Sequence, residues 1–150
     1  MKKLMMILMM FVAVGVSGQN VVNNATQWNL NDFVLNCLKD SKIDSVLIVI
    51  QPCKGLIFGK YRAVSYGNDN LYFIQISKYM DYESTLIAVA HEIIHIRQLL
   101  KKELVLIDSE NIVFNGVKYH VTENSHWDDK HELQAVKEGN KLFDKYKFIL

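Results

Sequence analysis

Apolar positions recur at helical spacing in three segments of this chain. Between residues 29 and 40 they return every three or four positions, which predicts an amphipathic helix that starts at a capping Asn29. The longest helical pattern runs from Tyr82 to Lys102 and follows Asp81, a residue type that caps helix N termini. A third helix is predicted from about Asp128 to Lys147.

Shorter segments with strand-like patterns separate these helices. Ser45 to Gln51 and Lys60 to Tyr66 are each followed by turn-forming residues, and Leu71 to Ser77 alternates like a strand with one face on a core. Asn115-Gly116 lies between two short apolar runs and predicts a β-hairpin, because its two central positions need a positive φ. The order of elements predicts an α+β fold in which a small antiparallel sheet packs with the central helix, the hairpin and a C-terminal helix.

Composition narrows the class of protein. The 150 residues are 50% apolar, which suits one globular domain with a single core. Lys and Arg number 17 against 16 Asp and Glu, so the chain has no basic field that would hold a phosphate backbone. Nucleic acid is therefore excluded as the main partner.

The N-terminal residues have the layout of a secretory signal peptide. Two lysines precede an apolar run from Leu4 to Val16, and polar residues follow from Ser17. This run is shorter than the about 20 residues with which a helix crosses a bilayer, so we expect no membrane span after cleavage. We predict that residues 1–18 are removed and that a domain of residues 19–150 is secreted or periplasmic.

An exported protein can form a disulfide between its two cysteines, Cys37 and Cys53. Cys37 also lies on the apolar face of the first predicted helix, which favours a buried free thiol equally. Two cysteines alone do not make a zinc-finger site.

The central helix contains the segment HEIIH, residues 91–95. Residues four apart lie one turn above each other, so His91 and His95 can bind one metal ion. Glu92 is rotated by about 100° around the helix and can reach a metal-bound water. Catalytic zinc sites usually have three protein ligands, and Lys101 stands where the extended motif has a third histidine. The third ligand must therefore come from elsewhere in the chain.

Three segments of the second half of the chain carry a family resemblance. They are His91 to His95, Phe114 to Tyr119 and Glu132 to Ala135. Together they resemble the small gluzincin-type zinc metallopeptidases over about residues 91–140, which implies a minimal zincin-like fold and Zn²⁺ as cofactor. In that family the third ligand is the first glutamate of a Glu-x-Glu-Ala-like motif, so the resemblance implies Glu132. Gln134 replaces the usual second glutamate, and Val136 stands where some relatives have an aspartate that orients a ligand.

Several other side chains are alternative candidates. Three histidines can each replace Glu132 as a ligand or donate a hydrogen bond to an oxyanion, although such histidines are more often surface residues: His120, His126 and His131. Glu138 is an alternative to Glu132 but lacks the small-residue context that Ala135 gives Glu132. Tyr119 can polarise a substrate carbonyl or, as the simpler role, pack across the hairpin against Phe114.

Motif and resemblance together predict an exported zinc peptidase that acts on a peptide or protein. His91, His95 and Glu132 bind the metal, and Glu92 takes a proton from water and passes it to the leaving amine. By analogy with similar peptidases, Leu71 to Ser77 is expected to be an edge strand that aligns the substrate. The competing hypothesis is a non-catalytic exported protein that keeps a zinc site for stability or partner binding. A site of that kind has no use for the carboxylate of Glu92, which favours the enzyme.

Overall fold

The computed structural model of the chain describes residues 21–24, 28–53, 63–68, 70–122 and 129–149. Within these ranges the fold is α+β, as predicted, with three helices, a four-stranded sheet and a three-stranded sheet. The predicted signal peptide lies outside the described residues. No helix in the described ranges is long and apolar enough to span a membrane.

The helices follow the periodic segments closely. They are α1 (Asn31–Asp40), α2 (Tyr82–Leu100) and α3 (Lys130–Tyr146). Asp81 caps α2 as predicted, because its carboxylate accepts a hydrogen bond of 2.7 Å from the backbone N–H of Ser84. The predicted cap of α1 is wrong, because Leu30 and not Asn29 occupies its N-cap position, without a side-chain cap hydrogen bond. The side-chain oxygen of Asn29 accepts a 3.4 Å hydrogen bond from the backbone N–H of Asn31 instead. The predicted start of α3, Asp128, lies outside the described residues.

The larger sheet contains four strands of the first half of the chain. They are β1 (Val21–Asn23), β2 (Leu47–Cys53), β3 (Ala63–Asn68) and β4 (Leu71–Ser77). Their order is β1-β2-β4-β3, in which β1 and β4 run parallel to β2 and β3 runs antiparallel to β4. This sheet is mixed, whereas we expected an antiparallel one. A strand between two parallel neighbours is buried on both faces, and Ile48, Val49 and Ile50 in β2 are all buried.

The position of β4 corrects a second expectation. We expected this strand to be an edge, but it lies between β2 and β3, so its backbone is already paired on both sides. Among the described strands the edges of this sheet are β1 and β3. Of the strands that the structure describes, these two are the ones to which an extended peptide could add.

The smaller sheet contains the predicted hairpin. Its antiparallel strands are β5 (Leu104–Leu106), β6 (Asn111–Phe114) and β7 (Val117–His120). Asn115 and Gly116 have φ values of 50° and 80°, which confirms the predicted turn. The strand partner of Tyr119 is Ile112 rather than Phe114, although Tyr119 packs against the small apolar cluster that contains both.

The main core lies between the larger sheet and the helices. Ile48, Ile50 and Ile74 from the sheet and Val89, Ile93 and Ile96 from α2 are all fully buried in it. One side of α2 therefore faces the core, which leaves another side of the same helix to carry the HEIIH histidines toward α3.

Candidate metal centre

Two consecutive turns of α2 bring the imidazoles of His91 and His95 together. Their Nε2 atoms are 2.9 Å apart, and the rings meet edge to face with centroids separated by 4.6 Å. The spacing of four residues in a helix produces this contact directly. Two Nε2 atoms at this distance offer a pair of ligand atoms to one ion.

The third member of the cluster is Glu132 from the first turn of α3. Its Oε2 lies 3.1 Å from Nε2 of His91, and its Oε1 lies 3.3 Å from Nε2 of His95. Ligand atoms in a tetrahedral zinc site with bonds of about 2.0–2.1 Å are separated by about 3.3 Å. The three residues named from the sequence thus form one group, with ligand atoms within 4.8 Å of one another, that is able to hold a metal ion.

The electrostatics of this cluster favour a positive charge at its centre. Burial raises the pKa of Glu132, but hydrogen bonds to His131, His91 and His95 outweigh burial and hold that pKa well below its usual range. Burial lowers the pKa of His95, but the hydrogen bond and charge of Glu132 raise it, and the pKa of His95 is raised overall. In the metal-free chain a proton is therefore attracted to the point where a cation would bind.

Glu92 lies next to the cluster without belonging to it. It is buried on α2, and its charge contributes to the raised pKa of His95. The group of three potential ligands does not include it. Glu92 is therefore a buried neighbour of the potential ligands and not one of them.

His131 is the one alternative histidine that the described residues bring to the cluster. Its Nε2 lies 3.4 Å from Oε1 of Glu132, and its ring centroid is 5.9 Å from that of His95. It therefore flanks the carboxylate and is not one of the three grouped ligands. His120 is exposed on β7, and His126 lies outside the described residues.

Glu138, the alternative third ligand, has a different partner. The Nη1 atom of Arg97 donates a hydrogen bond to its carboxylate, and this guanidinium holds the pKa of Glu138 below its ordinary value. The pair links α2 to α3 beside the cluster. Glu132, not Glu138, is the glutamate that meets the two histidines.

Sequence reasoning missed the role of Gln98, which is fully buried one turn after His95. Its Oε1 lies 2.9 Å from Nδ1 of His95, and its Nε2 donates hydrogen bonds to the backbone carbonyl of His131 at 3.0 Å and to Oε1 of Gln134 at 2.7 Å. The spacing of three residues on one helix was the available signal. Val136, the position where some relatives have an orienting aspartate, is exposed.

Gly139 is the second residue whose role the sequence did not indicate. A Cβ atom at this position would lie 3.0 Å from Cα and 3.1 Å from the backbone nitrogen of His91. The absence of a side chain therefore lets α3 approach the backbone of α2 at His91, one of the three potential ligands. Ala135, one turn earlier on α3, is also fully buried.

The two cysteines are free thiols and lie outside this cluster. Burial, together with the charge of Asp40, raises the pKa of Cys37 to about 12, so this thiol is neutral and unsuited to metal binding at neutral pH. Of the two alternatives that the sequence left open, the structure shows the free thiols.

No family model, no curated protein and no solved structure matches this chain. The resemblance to gluzincin-type peptidases therefore rests on the sequence motifs alone.

Proposed function

We propose that this protein is an exported zinc-dependent peptidase. The observation that carries the proposal is the convergence of His91, His95 and Glu132 from two helices, with the buried Glu92 beside them. Two imidazole nitrogens and one carboxylate form a donor set typical of catalytic zinc, which keeps a fourth position for water or substrate. The apolar N-terminal run after two lysines supports export.

Zinc bound to these ligands would supply a Lewis acid that polarises the scissile carbonyl and makes water a nucleophile near neutral pH. Glu92 accepts a proton as the water oxygen adds to the carbonyl carbon of the peptide bond. The same carboxylic acid then returns the proton to the amide nitrogen as the C–N bond breaks, so Glu92 ends ionised as it began. Glu132 and the histidines keep their positions throughout.

The substrate in this proposal is an extended peptide. β3 supports this choice because it is an edge of the larger sheet among the described strands, and α2 packs against it. An edge strand offers unpaired backbone N–H and C=O groups that can pair with a peptide main chain. β3 takes the substrate-aligning role that the sequence analysis gave to β4.

A non-catalytic zinc protein is the second candidate. One observation favours it: the three ligands join α2 to α3, so a bound ion would stabilise the packing of these helices whether or not it cuts a peptide. Glu92 distinguishes the two candidates, because only the enzyme needs a proton acceptor.

The experiment uses the mature chain purified without a metal-affinity tag. Elemental analysis should find about one zinc per chain, and the protein should cut members of a mixed peptide library in a chelator-sensitive reaction at neutral pH. Glu92→Gln keeps the shape but accepts no proton, so it should retain zinc and lose at least about 10²-fold in activity. Glu83→Gln, at an exposed position on the same helix, is the matched control and should change neither quantity.

Each outcome selects one candidate. A zinc-loaded wild type that cuts no peptide supports the non-catalytic protein. Activity of Glu92→Gln equal to that of wild type removes Glu92 from the mechanism.

A further inference from the structure

The buried amide of Gln98 lies between a metal-ligating histidine and the helix that carries the third ligand. It contacts Nδ1 of His95 on its own helix, and the His131 carbonyl and Gln134 on α3. These three contacts use both ends of the amide in a side chain with no exposed surface. Its orientation is therefore determined by its neighbours.

The backbone carbonyl of His131 fixes which end of the amide points where. A carbonyl oxygen only accepts hydrogen bonds, so the NH₂ group of Gln98 must face it, at the observed 3.0 Å. The amide oxygen of Gln98 then faces Nδ1 of His95. Rotating the amide by 180° would place two oxygens against each other and is excluded.

This orientation determines the proton position on His95. Because the oxygen of Gln98 can only accept, Nδ1 of His95 must carry the proton that is donated across the 2.9 Å contact. The Nε2 atom is then the nitrogen left for a metal, and it is the atom that faces His91 and Glu132. The tautomer that zinc binding needs is thus set before the ion arrives.

We propose that Gln98 is the positioning residue of this metal centre. It holds His95 with the proton on Nδ1 and with Nε2 toward the ion, and it ties that geometry to α3, which supplies Glu132. The inference rests on the proposed zinc site but not on peptidase activity.

The position and charge of Gln98 distinguish it from the orienting aspartate that some relatives have at the position of Val136. The partner of His95 comes from α2 itself, three residues later, while the expected position on α3 holds the exposed Val136. A neutral amide adds no negative charge behind the imidazole of His95, whereas an aspartate there would. Acceptor geometry, rather than charge, is what Gln98 contributes.

Two substitutions distinguish the acceptor role of the Gln98 amide from its donor role. Gln98→Leu removes the acceptor and the donor, whereas Gln98→Glu keeps an acceptor for Nδ1–H of His95 but has no N–H for the His131 carbonyl. The zinc dissociation constant of each variant is measured by competition with a chelator. Gln75→Leu is the matched control, because Gln75 is a partly exposed glutamine on β4 whose amide donates to the Tyr66 hydroxyl.

Gln98→Leu should weaken zinc binding about 10- to 100-fold, as loss of an outer hydrogen-bond partner typically does. Gln98→Glu should bind zinc with an affinity closer to wild type than to Gln98→Leu, and Gln75→Leu should match wild type. The proposal is overturned if Gln98→Leu binds as tightly as wild type. It is equally overturned if Gln98→Glu is as weak as Gln98→Leu, because the donor bonds between the helices would then account for the whole effect.

A measurement on the wild-type protein tests the proposal even if a variant does not fold. Nitrogen-15 NMR of the histidine rings in the zinc-loaded protein should show His95 protonated at Nδ1 and metal-bound at Nε2. A His95 bound through Nδ1 contradicts the proposal whatever the variants do. A chain that binds zinc with the expected ranking but cuts no peptide refutes the proposed function alone, and an active enzyme with the wrong ranking refutes this inference alone.

Discussion

Glu132 is a buried carboxylate that contacts three imidazoles, those of His91, His95 and His131. An ionised carboxylate away from water is unfavourable unless positive or hydrogen-bonding partners compensate it. Here the partners outweigh burial, since the pKa of Glu132 lies below its usual range. Glu138 differs because Arg97 already neutralises it. Of the two glutamates of α3, Glu132 therefore contacts the histidines and Glu138 forms an ion pair.

We predict that Glu132→Ala weakens zinc binding more than the about 10- to 100-fold expected for loss of an outer partner, because it removes one of three protein ligands. Glu138→Ala should leave the affinity near that of wild type, since it removes an ion pair beside the site. Chelator competition on both variants measures the difference. The opposite ranking would make Glu138 the ligand.

Single residues were predictable from the sequence where their partners are close along the chain. The spacing of His91 and His95 over one helical turn alone indicated a shared ion, and Glu92 follows from the same turn as their neighbour. The hydrogen bond from Gln98 to the His131 carbonyl joins residues 33 positions apart, and no local pattern reports such a contact. Glu132 was found only through the family resemblance, for the same reason.

Predictability also varied among the secondary-structure elements. Helices α1 and α2 and the hairpin were predicted nearly to their ends, because period, cap and turn residues are local signals. The three-residue strands β1 and β5 are too short to show a period and were missed. Strand order was wrong for β4 because alternation describes the faces of a strand and not its neighbours. The continuous apolar run of β2 was the available sign of a central parallel strand.

The contact between α2 and α3 is the element-scale feature that brings the three potential ligands of the candidate metal centre together. We predict that Gly139→Ala separates these helices at His91, because the new Cβ would meet helix backbone 3.0 Å away rather than a side chain that can rotate. Zinc affinity should fall as Glu132 moves from the histidines. Alanine also has a higher helix propensity than glycine by up to about 1 kcal/mol, which offsets part of the packing cost. The free energy of unfolding of the metal-free protein should therefore fall by less than the free energy of zinc binding.

Asn140→Ala is the control for this variant, because Asn140 is exposed on the same helix. Chelator competition gives the zinc affinity of both variants, and thermal unfolding without metal gives their stability. If Gly139→Ala binds zinc as tightly as Asn140→Ala, close helix approach is not required for the site.

At the scale of the whole molecule, α2 joins the apolar core to the candidate metal centre. Ile93 and Ile96 pack in the core, while His91 and His95 face Glu132 on α3. A bound ion would therefore link the last helix to the rest of the fold, and its effect on stability depends on pH. In the metal-free chain the pKa of His95 is raised above its ordinary 6.5. Protonation of His95 stabilises the folded metal-free chain, and this stabilisation is fully present at pH values below 6.5. It is lost as the pH rises through the raised pKa of His95.

Zinc should reverse this dependence, because it binds the unprotonated Nε2 of His95 and competes with the proton there. We predict that the increase in unfolding temperature on adding zinc, at fixed free zinc, is larger at pH 8 than at pH 6. At a free concentration 100 times the dissociation constant the added stability is about 2.7 kcal/mol. Thermal unfolding with and without buffered zinc measures it, and Glu132→Ala should lose most of the increase at both pH values. An increase that is equal at pH 6 and pH 8 would mean that the ion does not displace a proton from His95, and the ligand assignment on α2 would be wrong.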